Sequence, residues 1–178
     1  SLIKNGLDIL FIDTAHAHSK KVIDSLKLLK KKFSKTDIVV GNIATAEAAK
    51  ELIKAGADCL KVGIGPGSIC TTRMIAGIGV PQLTAIMDVC SVATKSGIPV
   101  IADGGVRNVG DVCKGLACGA DTVMLGSLLS GTKETPGTIE KIGEWPNEQL
   151  YKKYRGSASL DSKHDRGDNK NVEGNHKV

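Results

Sequence analysis

Apolar and polar positions alternate in blocks along this chain, and the blocks predict a repeated strand–helix unit. Five short, nearly continuous apolar runs predict buried strands, at ILFID, residues 37–40, CLKVG, VIADG and TVMLG. Four of these runs follow a phrase that contains a glycine, at Gly6, Gly56, Gly97 and Gly119. Each phrase predicts a glycine at the end of a helix, a short turn and then a strand.

The segments between the runs carry apolar residues at helical spacing. Residues 20–33 place Val22, Leu26 and Leu29 on one side and most of their lysines on the other. Thr45 has the chemistry of an N-cap and predicts a helix that continues to Lys54. Residues 82–96 and 109–117 complete the predicted helices.

This order of elements predicts an α/β fold with a parallel sheet that is buried on both faces. A flat doubly wound sheet and a (β/α)8 barrel both fit the pattern. A complete barrel needs about 250 residues, so on the barrel interpretation this chain is part of one. Residues 151–178 are polar and basic and lack apolar periodicity, which predicts either a loop or flap, or a disordered tail.

Composition narrows the class of protein. The 178 residues are 41% hydrophobic, which is enough for the core of one ordinary domain. No run of about 18 apolar residues occurs and the first residues lack a signal-peptide pattern, so we expect no membrane partner and a cytoplasmic protein with reduced cysteines. The net charge of +5 and the aromatic content of 3% argue against nucleic-acid binding, and the lysine-rich helix face is interpreted as solvated.

All five predicted strands end in polar or glycine-rich residues. These ends are Asp13, residues 41–42, 63–65, 103–105 and 126–127. Parallel α/β folds bind ligands at the carboxyl ends of their strands, so we expect a small-molecule site there. The turns at 103–107 and 125–127 have the composition of phosphate-binding turns, although each by itself also fits a tight structural turn.

The loop at residues 63–73 carries the most specific chemistry. Three glycines and a proline precede Cys70, and Arg73 follows it. A thiol among backbone amides and near a guanidinium group is either a nucleophile or a structural residue, and both interpretations stay open on the sequence alone. We expect the helical cysteines, Cys90, Cys113 and Cys118, to be small core residues.

The histidine pair, His16 and His18, lacks an obvious further metal ligand nearby in the sequence. We therefore interpret both histidines as helix-capping or surface-loop residues.

A set of motifs in this order resembles the IMP dehydrogenase/GMP reductase family. The motifs are DTAHAHS at 13–19, GNIATAEA at 41–48, KVGIGPGSICTTR at 61–73, GIGVPQLTAI at 77–86, IADGGVR at 101–107, VMLGSLLSGTKETPG at 123–137 and YRGSAS at 154–159. The resemblance implies a (β/α)8 TIM barrel of which this chain is about the last five strands plus the active-site flap. It implies that residues 1–150 are a partial catalytic barrel, that residues 151–178 are the flap, and that the full-length protein is a homotetramer.

The resemblance also implies roles for individual residues. Cys70 matches the nucleophile that attacks C2 of a purine nucleoside monophosphate, GMP or IMP, while Thr72 and Glu134 match groups used in proton transfer. The implied contacts to substrate are Ser68, Gly105, Gly126, Ser127 and Tyr154 for the phosphate, and Asp103 for the ribose. Asp13 and Asn42 match the side of the site that holds a nicotinamide cofactor, NADP or NAD. The backbone carbonyls of Gly65, Gly67 and Cys70 match potassium ligands.

The two activities of this family differ in how the adduct is resolved. Only residues 160–171 separate GSAS from VEG, and Arg166 is followed by glycine and not by the tyrosine of the dehydrogenase flap. These features favour GMP reductase, whereas AGIGVPQLTAI and GTKETPG resemble the dehydrogenase. IMP dehydrogenase therefore remains the alternative, together with a catalytically silent nucleotide-binding fragment.

Overall fold

A parallel five-stranded sheet and its helices form most of the chain. The structure is a computed structural model and describes residues 5–156. Its elements are β1 (Ile9–Asp13), α1 (Lys20–Lys32), β2 (Asp37–Ile43), α2 (Ala46–Ala55), β3 (Cys59–Val62), α3 (Thr72–Ile75), α4 (Gln82–Ala93), β4 (Val100–Asp103), α5 (Val109–Ala117), β5 (Thr122–Met124), β6 (Ile139–Ile142) and β7 (Gln149–Lys152). The residues fall into two compact units, which divide between Leu128 and Leu129.

The sheet of the first unit has the strand order β1-β2-β3-β4-β5, with every neighbouring pair parallel. These are the five strands that the apolar runs predict, and the parallel α/β class is confirmed. Because sequential strands are neighbours and all run the same way, their carboxyl ends line one edge of the sheet. The predicted polar strand ends therefore lie along a single edge.

The helices cover one face of this sheet. Leu26 of α1, Leu52 of α2 and Ile86 of α4 are fully buried in one cluster with alternate strand residues such as Leu60. On the other face, Ile9 and Phe11 of β1 keep 45% and 46% of their surface exposed. The expectation of a sheet buried on both faces is therefore wrong for β1, because the described chain has nothing to cover those side chains.

Local capping fixes where the helices begin and end. The Thr45 hydroxyl accepts the N–H of Ala48 at 3.2 Å, which confirms the predicted N-cap of α2, and Gly56 ends that helix at a φ of 102°. The predicted helix at 82–96 ends at Ala93 and continues as a 3-10 turn, which Gly97 closes at a φ of 65°. No helix within residues 5–156 combines the length and the apolar character needed to cross a bilayer.

Two aspartates connect neighbouring strands at their amino ends. Asp58, just before β3, accepts the backbone N–H of Ile38 in β2 at 2.7 Å and pairs with Lys30 at the same distance. Asp121, just before β5, accepts the N–H of Val100 in β4, also at 2.7 Å. The repeated Gly-Ala-Asp phrase therefore contributes more than a turn, because its carboxylate ties each strand to the preceding one.

The second unit contains an antiparallel hairpin of β6 and β7. The Lys152 ammonium group donates to the backbone carbonyls of Thr132 and Thr135 at 2.7 and 2.8 Å, which joins the hairpin to the preceding turns. Residues 151 and 152, which the sequence places in a loop, belong to β7. Most of the predicted flap, residues 157–178, lies outside the described residues, so the division at residue 150 stays a prediction.

We predict that Asp58→Ala lowers the free energy of unfolding of the full-length protein by about 1–3 kcal/mol, because the N–H of buried Ile38 loses its acceptor. Urea unfolding followed by circular dichroism measures the change. Lys30→Met is the matched control, since it removes the ion pair and keeps the acceptor. Equal losses in the two variants would mean that the carboxylate–amide bond contributes nothing.

Candidate functional site

A buried lysine connects the carboxyl ends of two strands. Lys61, in the middle of β3, keeps only 4% of its surface exposed. Its ammonium group lies 3.1 Å from a carboxylate oxygen of Asp13, at the end of β1, and also pairs with Asp103, at the end of β4. A buried ammonium group requires such partners. The single positive charge of Lys61 therefore holds both predicted ligand-binding aspartates close to it.

Two amides fix Asp103 further. The side-chain nitrogen of Asn42 donates to the Asp103 carboxylate at 2.9 Å and to the carbonyl of Gly63 at 2.8 Å. The side-chain nitrogen of Gln82 donates to the backbone carbonyls of Asp103 and Val62 at 3.1 and 2.9 Å. Asp103 is therefore held through both its side chain and its backbone, which gives its carboxylate a defined orientation.

The cysteine loop packs directly on the predicted phosphate turn. Gly63 adopts a φ of 146°, and a Cβ atom there would lie 2.3 Å from the carbonyl oxygen of Asp103. Gly104 has a φ of 88°, and its Cβ would lie 3.0 Å from the ring of Pro66 and 3.3 Å from the nitrogen of Gly67. Only glycine fits at these contacts, so the loop and the turn approach each other through their backbones.

Arg73 closes the cysteine loop from within. Its guanidinium group donates to the carbonyls of Ile64, at 3.0 Å, and Val80. Its side chain also packs against Gly79, where a Cβ atom would lie 2.7 Å from the Arg73 Nε. The sequence places this guanidinium near the Cys70 thiol as an activating charge. In the structure the Arg73 guanidinium group is hydrogen-bonded to two backbone carbonyls instead, so Arg73 stabilises the shape of the loop.

Cys70 is exposed at the end of this loop. Its thiol donates to the Thr72 hydroxyl at 3.3 Å, and its N–H donates to the carbonyl of Gly67 at 3.1 Å. The structure therefore brings together two of the three predicted catalytic residues. An accessible thiol next to a hydroxyl can attack an electrophilic carbon and can exchange a proton with its neighbour.

The remaining cysteines have other surroundings. Burial, together with the negative charges of Asp121 and Asp58, raises the pKa of the Cys59 thiol to about 11. Burial also raises the pKa of Cys90, which is a core residue as predicted. Cys118 is partly buried against the core, and the core prediction is wrong for Cys113, which α5 presents to solvent.

The other predicted substrate contacts are distributed over both units. Ser68 is exposed on the cysteine loop, and Gly105 lies against Pro66 of that loop, where its Cβ would be 3.3 Å from the proline. Gly126 and Ser127 follow β5, the strand next to Asp103. Glu134 and Tyr154 are both exposed and belong to the second unit.

The predicted potassium ligands are backbone carbonyls of one loop. Gly65 adopts a φ of 67°, and the Gly67 carbonyl accepts the N–H of Cys70 and keeps a second lone pair. Carbonyl oxygens are the donors that a hard monovalent cation requires, so the residues present fit such an ion.

The two histidines lie beside this edge. His18 is 3.4 Å from a carboxylate oxygen of Glu51, and the rings of His16 and His18 stack with centroids 6.4 Å apart. Ser19, and not a histidine, caps α1. Among residues 5–156, no group of three potential side-chain ligands could hold a metal ion.

Lys61 and Gln82 are the site residues that sequence reasoning did not single out. The sequence could have indicated Lys61, because this charged residue interrupts the apolar run CLKVG. A buried strand tolerates a charge only when the charge is paired. Nothing in the sequence pointed to Gln82, because the first residue of an amphipathic helix is ordinarily polar.

The fold and this edge define a class of protein, a parallel α/β domain in which a cysteine loop rests on a glycine-rich turn. The model of the IMP dehydrogenase / GMP reductase domain matches residues 1–177. The chain belongs to this family.

Named relatives include both activities. The inosine-5'-monophosphate dehydrogenases of Aquifex aeolicus and Methanocaldococcus jannaschii are 55% and 57% identical over 161 and 162 residues, in each case 90% of this chain and 32% of the relative. A crystal structure of a GMP reductase variant from Trypanosoma brucei with guanosine 5'-monophosphate is 47% identical, with a TM-score of 0.87 over 94% of this chain and 34% of that one. The chain thus spans about a third of the length of these proteins.

We predict that iodoacetamide at pH 8 modifies Cys70 at least about 100-fold faster than Cys59, because a thiol with a pKa near 11 is only about 0.1% thiolate at that pH. The rate at Cys59 should rise as the pH approaches 11. Peptide mass mapping of the folded protein measures both rates, and the protein in guanidinium chloride is the control. Equal rates at the two residues in the folded protein would contradict the assigned environments.

Proposed function

We propose that this chain is the catalytic part of a nicotinamide-dependent oxidoreductase that acts on C2 of a purine nucleoside monophosphate, with GMP reductase as its activity. The observation that carries the proposal is the contact between the cysteine loop and the 103–105 turn. It brings an exposed thiol, a carboxylate and a glycine-rich turn to one edge of the sheet. A nucleotide presents a phosphate, a ribose diol and an electrophilic ring carbon, and these three groups suit those partners.

The nucleotide binds through its phosphate and its ribose. Gly105, Gly126 and Ser127 lie at the ends of two adjacent strands, where backbone N–H groups can converge on an anion, and Ser68 and Tyr154 add hydroxyl groups. The Asp103 carboxylate, which Lys61 and Asn42 hold in place, accepts hydrogen bonds from the ribose hydroxyl groups.

The Cys70 sulfur then forms a bond to C2 of the purine. In the reductase direction the C2 amino group of GMP takes up the proton that the Cys70 thiol gives up, and it leaves C2 as ammonia. Hydride then reaches C2, and the bond between sulfur and C2 breaks to release IMP. Thr72, whose hydroxyl already contacts the thiol, and Glu134 hold and move the protons of these steps.

When bound, a nicotinamide cofactor would supply the hydride as NADPH in the reductase reaction, or accept it as NAD in the dehydrogenase reaction. Asp13, with 62% of its side chain exposed, and Asn42 would hold its nicotinamide half. The backbone carbonyls of Gly65, Gly67 and Cys70 would hold a potassium ion that stabilises the loop.

IMP dehydrogenase is the second candidate, since several relatives that are 55–57% identical carry that name. It would share the Cys70 adduct and resolve it with water to give XMP. The reductase is favoured by the short 160–171 interval and by the glycine that follows Arg166. The likeness to a GMP reductase structure with GMP is compatible with this choice.

The whole protein is proposed to be a cytoplasmic homotetramer of (β/α)8 barrels. Helices on one sheet face and half-exposed apolar residues on the other support the barrel, because strands absent from this chain would cover Ile9 and Phe11. On this view residues 1–150 are the later part of the barrel and residues 151–178 form the flap.

We predict that the full-length protein consumes NADPH when supplied with GMP and releases ammonia and IMP. Absorbance at the nicotinamide band, with chromatography of the nucleotides, measures this. Formation of XMP from IMP and NAD, without turnover of GMP, would assign the dehydrogenase activity instead. Failure of both reactions would contradict the proposed function.

A second exposed cysteine of this chain, Cys113, provides a control for a test of the covalent step. Cys70→Ala should lower turnover at least about 1,000-fold, whereas Cys113→Ala, at an exposed cysteine of α5, should leave it unchanged. Normal turnover by the Cys70 variant would exclude the adduct.

A further inference from the structure

We propose that Lys61 is a positioning residue that sets the affinity of both halves of the site at once, the nucleotide half through Asp103 and the nicotinamide half through Asp13. This inference rests on the proposed function, which assigns those two aspartates to the two ligands. The juxtaposition itself is structural, since one ammonium group contacts both carboxylates.

The lysine reaches across the sheet to do this. Asp13 ends β1, whereas Lys61 is in β3, and β2 lies between them. Gly41 is the β2 residue paired with Lys61, and a Cβ atom there would lie 2.6 Å from the Cβ of Lys61. The glycine leaves room for the lysine stem on this face, so the bridge from β1 to β4 is built into the strands.

The charge balance makes the lysine necessary to both partners. One ammonium group faces two carboxylates, so removing it leaves two negative charges close together with no cation between them. Asp103 is the more sensitive partner because only 21% of its side chain is exposed, whereas solvent screens the more exposed Asp13. Both carboxylates would still turn away from their present orientation, because like charges repel.

Each carboxylate has a different set of other restraints. Asp103 is also held by Asn42 and, through its backbone, by Gln82. Loss of Lys61 should therefore displace Asp103 partially, while Asp13 loses its ion pair. A substitution at either aspartate should affect one ligand, whereas a substitution at the lysine should affect two.

Equilibrium binding to the full-length protein tests this pattern. GMP binding is measured by calorimetry and NADPH binding by nicotinamide fluorescence, so no turnover is required. We expect Asp103→Asn to raise the Kd of GMP alone, Asp13→Asn to raise that of NADPH alone, and Lys61→Met to raise both by roughly 10-fold. Lys61→Arg should recover most of both affinities, because a guanidinium group can also bridge two carboxylates.

Two further variants separate positioning from stability. Lys30→Met removes another paired lysine, which is hydrogen-bonded to Asp58 at the opposite end of the strands, and should leave both Kd values unchanged. The double variant Lys61→Met/Asp103→Asn contains no uncompensated carboxylate at position 103, so it guards against misfolding of the single variant. Its NADPH Kd should remain raised, although Asp103→Asn alone leaves that Kd unchanged.

The outcomes distinguish this inference from the proposed function. If the unchanged protein binds neither GMP with NADPH nor IMP with NAD, the proposed function is wrong. If it binds them and Lys61→Met changes neither Kd, or only one of them, the positioning role of Lys61 is overturned.

Discussion

The approach of the β3 and β4 backbones at their carboxyl ends is the constraint on which the rest of this site depends. A side chain at Gly63 would overlap the Asp103 carbonyl, so the strand end and the turn can meet only where the backbone is bare. Once they meet, Pro66 and Gly67 lie on Gly104, and Cys70 follows three residues later. The thiol is thus placed relative to the carboxylate by main-chain contacts, which are stiffer than contacts between long side chains.

The hydrogen bonds around this contact have a common purpose. Asn42 and Gln82 each donate to one acceptor at the end of β3 and one in β4. Arg73 ties Ile64, at the start of the loop, to Val80, which precedes α4. Because these groups are at least half-buried, their bonds compete little with water. The loop carries an exposed thiol, while the residues at the start of the loop are held in place, so the arrangement combines access with a defined geometry.

Much of the fold followed from the sequence because it depends on local pattern. The five apolar runs, the Thr45 cap and the α5 limits Val109–Ala117 each depend on residues close in the chain, and the structure confirms them. Partners distant in sequence could not be derived in the same way. Lys61 contacts Asp13 and Asp103, which lie 48 and 42 positions away in the sequence, respectively. The sequence placed Arg73 beside Cys70 because they are only three positions apart, but its two carbonyl acceptors come within reach only when the loop has folded.

The two aspartates at the amino ends of β3 and β5 bear on how this sheet avoids misfolding. In a strand, successive side chains point to opposite faces, so slippage of β3 by one residue would exchange its two faces. The Lys61 ammonium group would then enter the apolar layer under the helices, and no carboxylate is buried there among residues 5–156. Asp58, by accepting the N–H of Ile38, resists that slippage at the far end of the same strand. A partly buried carboxylate at one end of the sheet thereby helps to keep the charge at the other end on its correct face.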